Sequence, residues 1–365
     1  MSRWIKFAVS IAITAVCLWW TFKDTNFPQM WTSLRSANWV VTLPAYFGVL
    51  VVIHVARTLR WGNLLSGLEK VPFGKLNEAS AIGFMMLILL PFRLGEFARP
   101  FLIAQRSGIR RSAAMTSVVL ERIVDGLIIA VMLRVLMFFV PDDARDIDRI
   151  RVGANLMFFV FGSGFLFLLL ARWKHDFVIG MMRKTMGRIS AGLTEKVVHM
   201  VDGFVGALKQ LPDAKNMFLF FFWTAVYWVA NGAGMALFAW GFDCSGANGA
   251  QCLPLSMTMF QGYFILCVVI VGMMIPAAPG SAGTAQLALL IGMGVFLSQE
   301  VVNSSGVAYA NVLWLVQMVQ QILFGVFFLV RSHTSFTDIA GKLSDQSKGE
   351  DGGDNNDVQR KEASA

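Results

Sequence analysis

The sequence predicts an all-α fold: a polytopic membrane helical bundle of two inverted-repeat halves, each with a re-entrant or Pro/Gly-broken helical hairpin. Three observations carry that expectation. The 365 residues are 56% hydrophobic and 15% charged, whereas soluble domains have about 45–50% apolar and about 25% charged residues. Apolar stretches at 5–22, 39–56, 115–140, 152–171, 217–240 and 306–330 approach the ~20 residues that cross about 30 Å of hydrocarbon. Two further apolar stretches are interrupted by Pro and Gly at corresponding places in the two halves of the chain.

The first stretch opens on Arg3 and Lys6 and has no small-x-small site before Trp19 and Trp20, so it reads as an uncleaved anchor. The net charge of +8 would suit a nucleic-acid binder if the basic residues shared one soluble module. They fall instead in alternate loops. Arg57, Arg60, Lys70 and Lys75 follow the second stretch, Arg106, Arg110 and Arg111 precede the third, and Arg172, Lys174, Arg183, Lys184 and Arg188 follow the fourth. Residues 142–151 are slightly acidic, and 244–253 and 298–305 carry no Lys or Arg. This is the positive-inside pattern, with both termini cytoplasmic and no nucleic-acid partner.

Basic loops flank residues 76–103, a stretch too short for two crossings. It is expected to enter from the cytoplasm and return, breaking at Pro91 and Gly95. Residues 257–297 have outside loops on both sides and break at Pro276 and Gly280; a re-entrant hairpin or two full passes fits. Irregular backbone at membrane depth is tolerated only inside protein or along a watery cavity, and a matched pair of breaks points to a transporter's binding site.

The connector 175–215 has helical periodicity and is expected to lie on the membrane surface or beneath the bundle. Residues 1–331 are expected to form one transmembrane domain, and 332–365 a cytoplasmic, polar, disordered tail. Cys17 and Cys267 read as packing residues. Cys244 and Cys252 share an outside loop, where a disulfide is permitted.

Ionisable residues within membrane segments are functional candidates, at about 2.5–3.5 kcal/mol each on insertion scales. Arg93, Glu96 and Arg99 adjoin the first break, and Glu121, Arg122 and Asp125 occupy the next span. Glu121 and Asp125 share a helix face and repel unless a cation lies between them; Arg93 or Arg99 would serve. A structural salt-bridge network and a substrate site both fit. Arg57 and Arg60, with Trp61, read as an interfacial anchor or as a contact to anionic headgroups. Arg134 is expected to snorkel outward with no role. The second break is uncharged: Pro276, Pro279, Gly280 and Gly283 free backbone amides that can hold an anion, with Ser281, Gln286 and Gln261 nearby. A simple kink is the bland alternative.

The sequence holds no His-Glu-x-x-His, Cys-x-x-Cys, nucleotide-binding loop or Gly-x-Ser-x-Gly motif, so no metal, cofactor or catalytic role is expected. Ser281 with His54 as an intramembrane Ser–His pair is the weaker alternative to a structural hydroxyl.

The pattern Arg57-x-x-Arg60-Trp61, Leu90-Pro91-x-Arg93-x-Gly95-Glu96-x-x-Arg99, Gly108-Ile109, Leu120-Glu121-Arg122-x-x-Asp125 and Pro276-x-x-Pro279-Gly280-Ser281-x-Gly283 resembles the lysylphosphatidylglycerol synthase transmembrane-region family, also called flippase-like integral membrane proteins. The resemblance covers residues 4–331. It implies a lipid-translocating unit of the bacterial inner membrane, joined in multidomain members to a soluble domain that makes aminoacylated phosphatidylglycerol. This chain has only a short tail after Arg331, so the synthase activity is not expected. It departs from the family pattern at Ile88, where Asn is frequent, and at Gln286, where Glu is frequent. The expected function is lipid flipping, of a phospholipid or a polyprenyl-phosphate-linked glycan, with membrane lipid as partner. Runner-up readings are a non-transporting partner of a lipid-modifying enzyme or glycosyltransferase, and an intramembrane enzyme.

Overall fold

The computed structural model describes residues 3–90, 95–174, 180, 183–184, 212–244, 252–275 and 279–332, with the side chains of 3–10, 168, 171 and 172 left aside. Arg93, Pro276, most of the connector and the tail lie outside them. Among the described residues every regular element is helical: α1 Arg3–Phe22, α2 Phe27–Ser36, α3 Trp39–Leu65, α4 Phe73–Leu89, α5 Ala98–Arg106, α6 Arg111–Met137, α7 Ile147–Trp173, α8 Ala214–Trp240, α9 Met259–Gly272, α10 Thr284–Gly294 and α11 Gln299–Arg331.

Among the described residues four helices are long and apolar enough to cross a membrane: α3, α7 over Ile147–Phe167, α8 and α11. Helix α6 has 27 residues but carries Glu121, Arg122, Asp125 and Arg134, so its length fits a crossing better than its composition does. The last helix begins before the apolar stretch, because Ser298 caps Gln299–Val301 and a wide turn, Val302–Gly306, joins it to Val307–Arg331. The short α2 lies outside every apolar stretch of the sequence. Its start is set by Asn26, whose side chain accepts the Gln29 amide, and by Pro28 in the first turn.

Both interrupted segments fold back on themselves. Helix α4 has 17 residues and α5 has 9, spanning about 25 and 14 Å. Leu90 leaves α4 in an extended conformation, as the residue before a proline prefers. Gly95 then presses on the α4 backbone at Met86 and Leu87, where any Cβ would overlap main chain. Helices α9 and α10 have 14 and 11 residues, both short of the ~20 needed to cross alone. They are joined through a run of left-handed backbone at Gly280, Ser281 and Gly283, with φ of 69°, 53° and 83°.

Helix α8 packs along α3, α4 against α5 and α11, α6 against α7, and α10 against α9 and α1. A large apolar core joins α3, α6, α8, α9, α10 and α11, while a second, smaller core surrounds α4 and α5 with Trp61, Leu65 and Val118. Large apolar side chains such as Phe139, Phe159, Phe218 and Val330 face outward, as the hydrocarbon-facing surface of a bundle must. Cys244 and Cys252 form a disulfide. Cys267 is buried, and Cys17 packs beside Gly283.

Candidate functional site

The site is assembled around Glu121 and Asp125, one turn apart on α6. The cation that their spacing demands comes from α3. Arg60 donates two hydrogen bonds to Asp125, Nη1 to Oδ1 at 2.6 Å and Nη2 to Oδ2 at 2.7 Å, and a third from Nη2 to Glu121 Oε1 at 2.7 Å. Arg99 of α5 completes the set on Glu121, at 3.3 Å to Oε1 and 3.4 Å to Oε2. Both arginines and Glu121 are almost fully enclosed. The two guanidinium and two carboxylate charges cancel. Arg60 is therefore no interfacial anchor: the charge it meets lies inside the bundle, so it turns inward instead of snorkelling. Arg122, half-buried beside this set, lies in the field of Glu121, Glu96 and Asp125.

Aromatic rings extend the cluster. Phe84 of α4 lies between the guanidinium groups of Arg57 and Arg99, 3.8 and 4.6 Å from its centroid, and Trp61 stacks on Arg99 at 4.4 Å. Tyr227 of α8 lies 4.4 Å from Arg60 and 5.4 Å from Arg57. Cation–π contacts at desolvated positions contribute about 2 kcal/mol. They place Arg57 beside the neutral cluster. Among the described residues Arg57 has no ion-pair partner; it donates a long hydrogen bond to Tyr227 Oη at 3.5 Å. It faces a cavity between α3, α8 and α11.

Three hydrogen bonds engage the described part of the second break. Gln286 Oε1 accepts the Gly283 amide at 2.8 Å, Thr284 donates to the Ser281 carbonyl at 3.1 Å, and Trp314 donates from α11 to the Gly280 carbonyl at 2.9 Å. The Gly283 donor expected to be open to an anion is thus occupied from within. Gln261 lies away from the break, capping the start of α9 with Thr258. His54 pairs with Asn77 at 2.8 Å and not with Ser281.

The second break meets the helix that leads into the first. The turn Pro279–Ser281 packs on α4, and a Cβ on Gly280 would lie 3.7 Å from Ile88. Arg134, by contrast, stays exposed and bonds Asn155.

The structure brings together Arg57, Arg60, Arg99, Glu121, Arg122 and Asp125, with Glu96 beside them, and separately Pro279, Gly280, Ser281, Gly283 and Gln286. Tyr227 and Phe84 serve as platforms that no motif in the sequence marks. The polar face of Gln317, Gln320 and Gln321 on α11 has a sequence signal of its own, three amides at helical spacing in an apolar span.

A bundle of spanning helices that folds two interrupted hairpins against each other beside buried ion pairs is an integral membrane protein with its polar chemistry inside. The chain belongs to the lysylphosphatidylglycerol synthase transmembrane-region family: the family's sequence model, described as "Lysylphosphatidylglycerol synthase TM region", matches residues 5–325. No curated protein and no solved structure matches the chain.

Proposed function

We propose that this protein moves a lipid, a phospholipid or a polyprenyl-phosphate-linked glycan, between the leaflets of a bacterial cytoplasmic membrane, without chemical change to the lipid. A polar headgroup crossing hydrocarbon loses its hydration without replacement, and a route lined by protein lowers that barrier. The observation that carries this reading is the contact between the two broken segments at Ile88 and Gly280, next to a buried charge cluster. Membership of a family of membrane regions from a lipid-modifying synthase supports it.

In this reading α4–α5 enters from the cytoplasm and α9–α10 from the outside as two inverted repeats, and both termini are cytoplasmic. The short helices of each pair and the Cys244–Cys252 bridge, which suits an oxidising compartment, support that arrangement. The ion pairs hold α5 to α3 and α6, and the contact of Pro279–Ser281 with α4 forms the gate.

The test is purified protein in liposomes containing a fluorescent lipid, with a membrane-impermeant quencher added outside. Inner-leaflet lipid should become quenchable and be recovered unmodified. No movement with any phospholipid or polyprenyl phosphate would overturn the reading. A modified lipid product would favour an enzyme, and silence on both counts a partner of a lipid-modifying enzyme.

A further inference from the structure

The cavity between α3, α8 and α11 has a lining chemistry that the ion-pair cluster does not explain. Its volume is about 60 Å³, room for about four waters at ~15 Å³ each, so it takes part of a polar headgroup and not an acyl chain. Its polar lining is His54, Arg57, Asn231, Gln317, Gln320 and Gln321. Four side-chain amides and one cation face a space at the level of the spanning helices, and among the described residues no carboxylate lines it.

Most of these groups are partly engaged in ways that orient them. Asn231 donates to the Tyr227 carbonyl at 2.7 Å and keeps its amide oxygen available. Gln317 donates to Tyr46 Oη at 2.7 Å, and Gln321 to the Gln317 carbonyl at 3.4 Å. Gln320 differs. It is 5% exposed, and its Nε2 is buried with no hydrogen-bond partner among the described residues. A buried amide without partners is destabilising, and native structures rarely keep one without a use. Beside it, Arg57 is a cation held by two rings with no ion-pair partner among the described residues.

We infer that this cavity is a headgroup site for a phosphate ester that carries hydroxyls, and that it discriminates against headgroups carrying an amine. Arg57 takes the phosphate, for which a planar guanidinium is the suited donor. The amides of Asn231, Gln317, Gln320 and Gln321 take the hydroxyls, since each amide offers both donor and acceptor as a hydroxyl requires. An ammonium group would enter beside Arg57 with no anion to balance it, and that repulsion supplies the discrimination. That the ester belongs to a lipid rests on the translocation reading above.

The experiment is native mass spectrometry of the full chain in detergent, titrated in turn with phosphatidylglycerol, phosphatidylethanolamine and free glycerol 3-phosphate. Phosphatidylglycerol should bind at least about fivefold more tightly than phosphatidylethanolamine. Arg57→Gln and Gln320→Leu should each weaken phosphatidylglycerol binding about tenfold, the size of one lost hydrogen bond to a charged or buried group. Gln320→Leu removes an amide that has no partner and keeps the volume apolar, so it should fold at least as well as the parent. Gln320→Glu should move the preference toward phosphatidylethanolamine. Equal binding of the two lipids, or parental affinity in Gln320→Leu, would overturn the inference. Glycerol 3-phosphate binding as tightly as phosphatidylglycerol would overturn the lipid source. Selective binding in a protein that moves no lipid would sink the translocation reading and support the site; movement without selectivity would do the reverse.

Discussion

The two interrupted hairpins solve the same problem by different means. In the first, the α4–α5 turn is held from a distance: Arg99 reaches Glu121 on α6, which also binds Arg60 of α3. In the second, the α9–α10 turn is held by neutral hydrogen bonds, within the turn from the Gly283 amide to Gln286 and across the bundle from Trp314 of α11 to the Gly280 carbonyl. Charge fastens one hairpin to its neighbours, while left-handed glycines and neutral hydrogen bonds shape the other. The first is therefore costly to disturb at a single side chain, and the second is made of small, separable contributions.

The sharpest way to break this contrast is to remove Arg60. Arg60→Ala leaves Asp125 buried without its hydrogen-bonded cation and Glu121 with Arg99 as its remaining guanidinium bond, a loss of about 3–5 kcal/mol. In thermal unfolding in detergent it should be the most destabilised variant. A reciprocal exchange, Arg60→Asp with Asp125→Arg, should recover folded protein. Recovery of lipid movement as well would mark the pair as structural.

The glycines sharpen the comparison next. Gly95→Ala drives a methyl into the backbone of Leu87 and Met86, which cannot yield, so its loss should reach about 3 kcal/mol, the upper end for overpacking. Gly280→Ala meets the flexible Met318 sulfur at 3.0 Å and should lose about 1–2 kcal/mol for left-handed backbone. An equal loss at both would remove the distinction between the hairpins.

How much of this was legible beforehand follows from what a sequence encodes locally. Helical spacing put Glu121 and Asp125 on one face and required a cation between them, and that cation is present. It is Arg60 with Arg99, because spacing fixes the face of one helix and not which distant helix meets it. The proline and glycine breaks, the family pattern and the Cys244–Cys252 loop were readable because each depends on neighbours in the chain. Helix α2 carried its signal in Asn26 and Pro28 but is too short and polar to register among apolar spans. The cavity depends on three helices meeting, so no one stretch of sequence announces it.

Smaller effects complete the series. Gln286→Ala and Trp314→Phe should each lose about 0.5–1.5 kcal/mol, the net worth of one hydrogen bond, seen as modest shifts of the same unfolding transition. Arg134→Ala, at an exposed position, should stay within about 0.5 kcal/mol of the parent.

The central claim is that lipid movement passes the contact between the second break and α4. The direct measurement is lipid movement in liposomes by protein carrying Ile88→Cys and Gly280→Cys in a background with Cys17→Ser and Cys267→Ser, before and after a short reversible thiol cross-link. The background protein without the new pair controls for reduction of Cys244–Cys252. Cross-linking should stop movement and reduction should restore it. Cross-linked protein that moves lipid as fast as the reduced form would contradict the account.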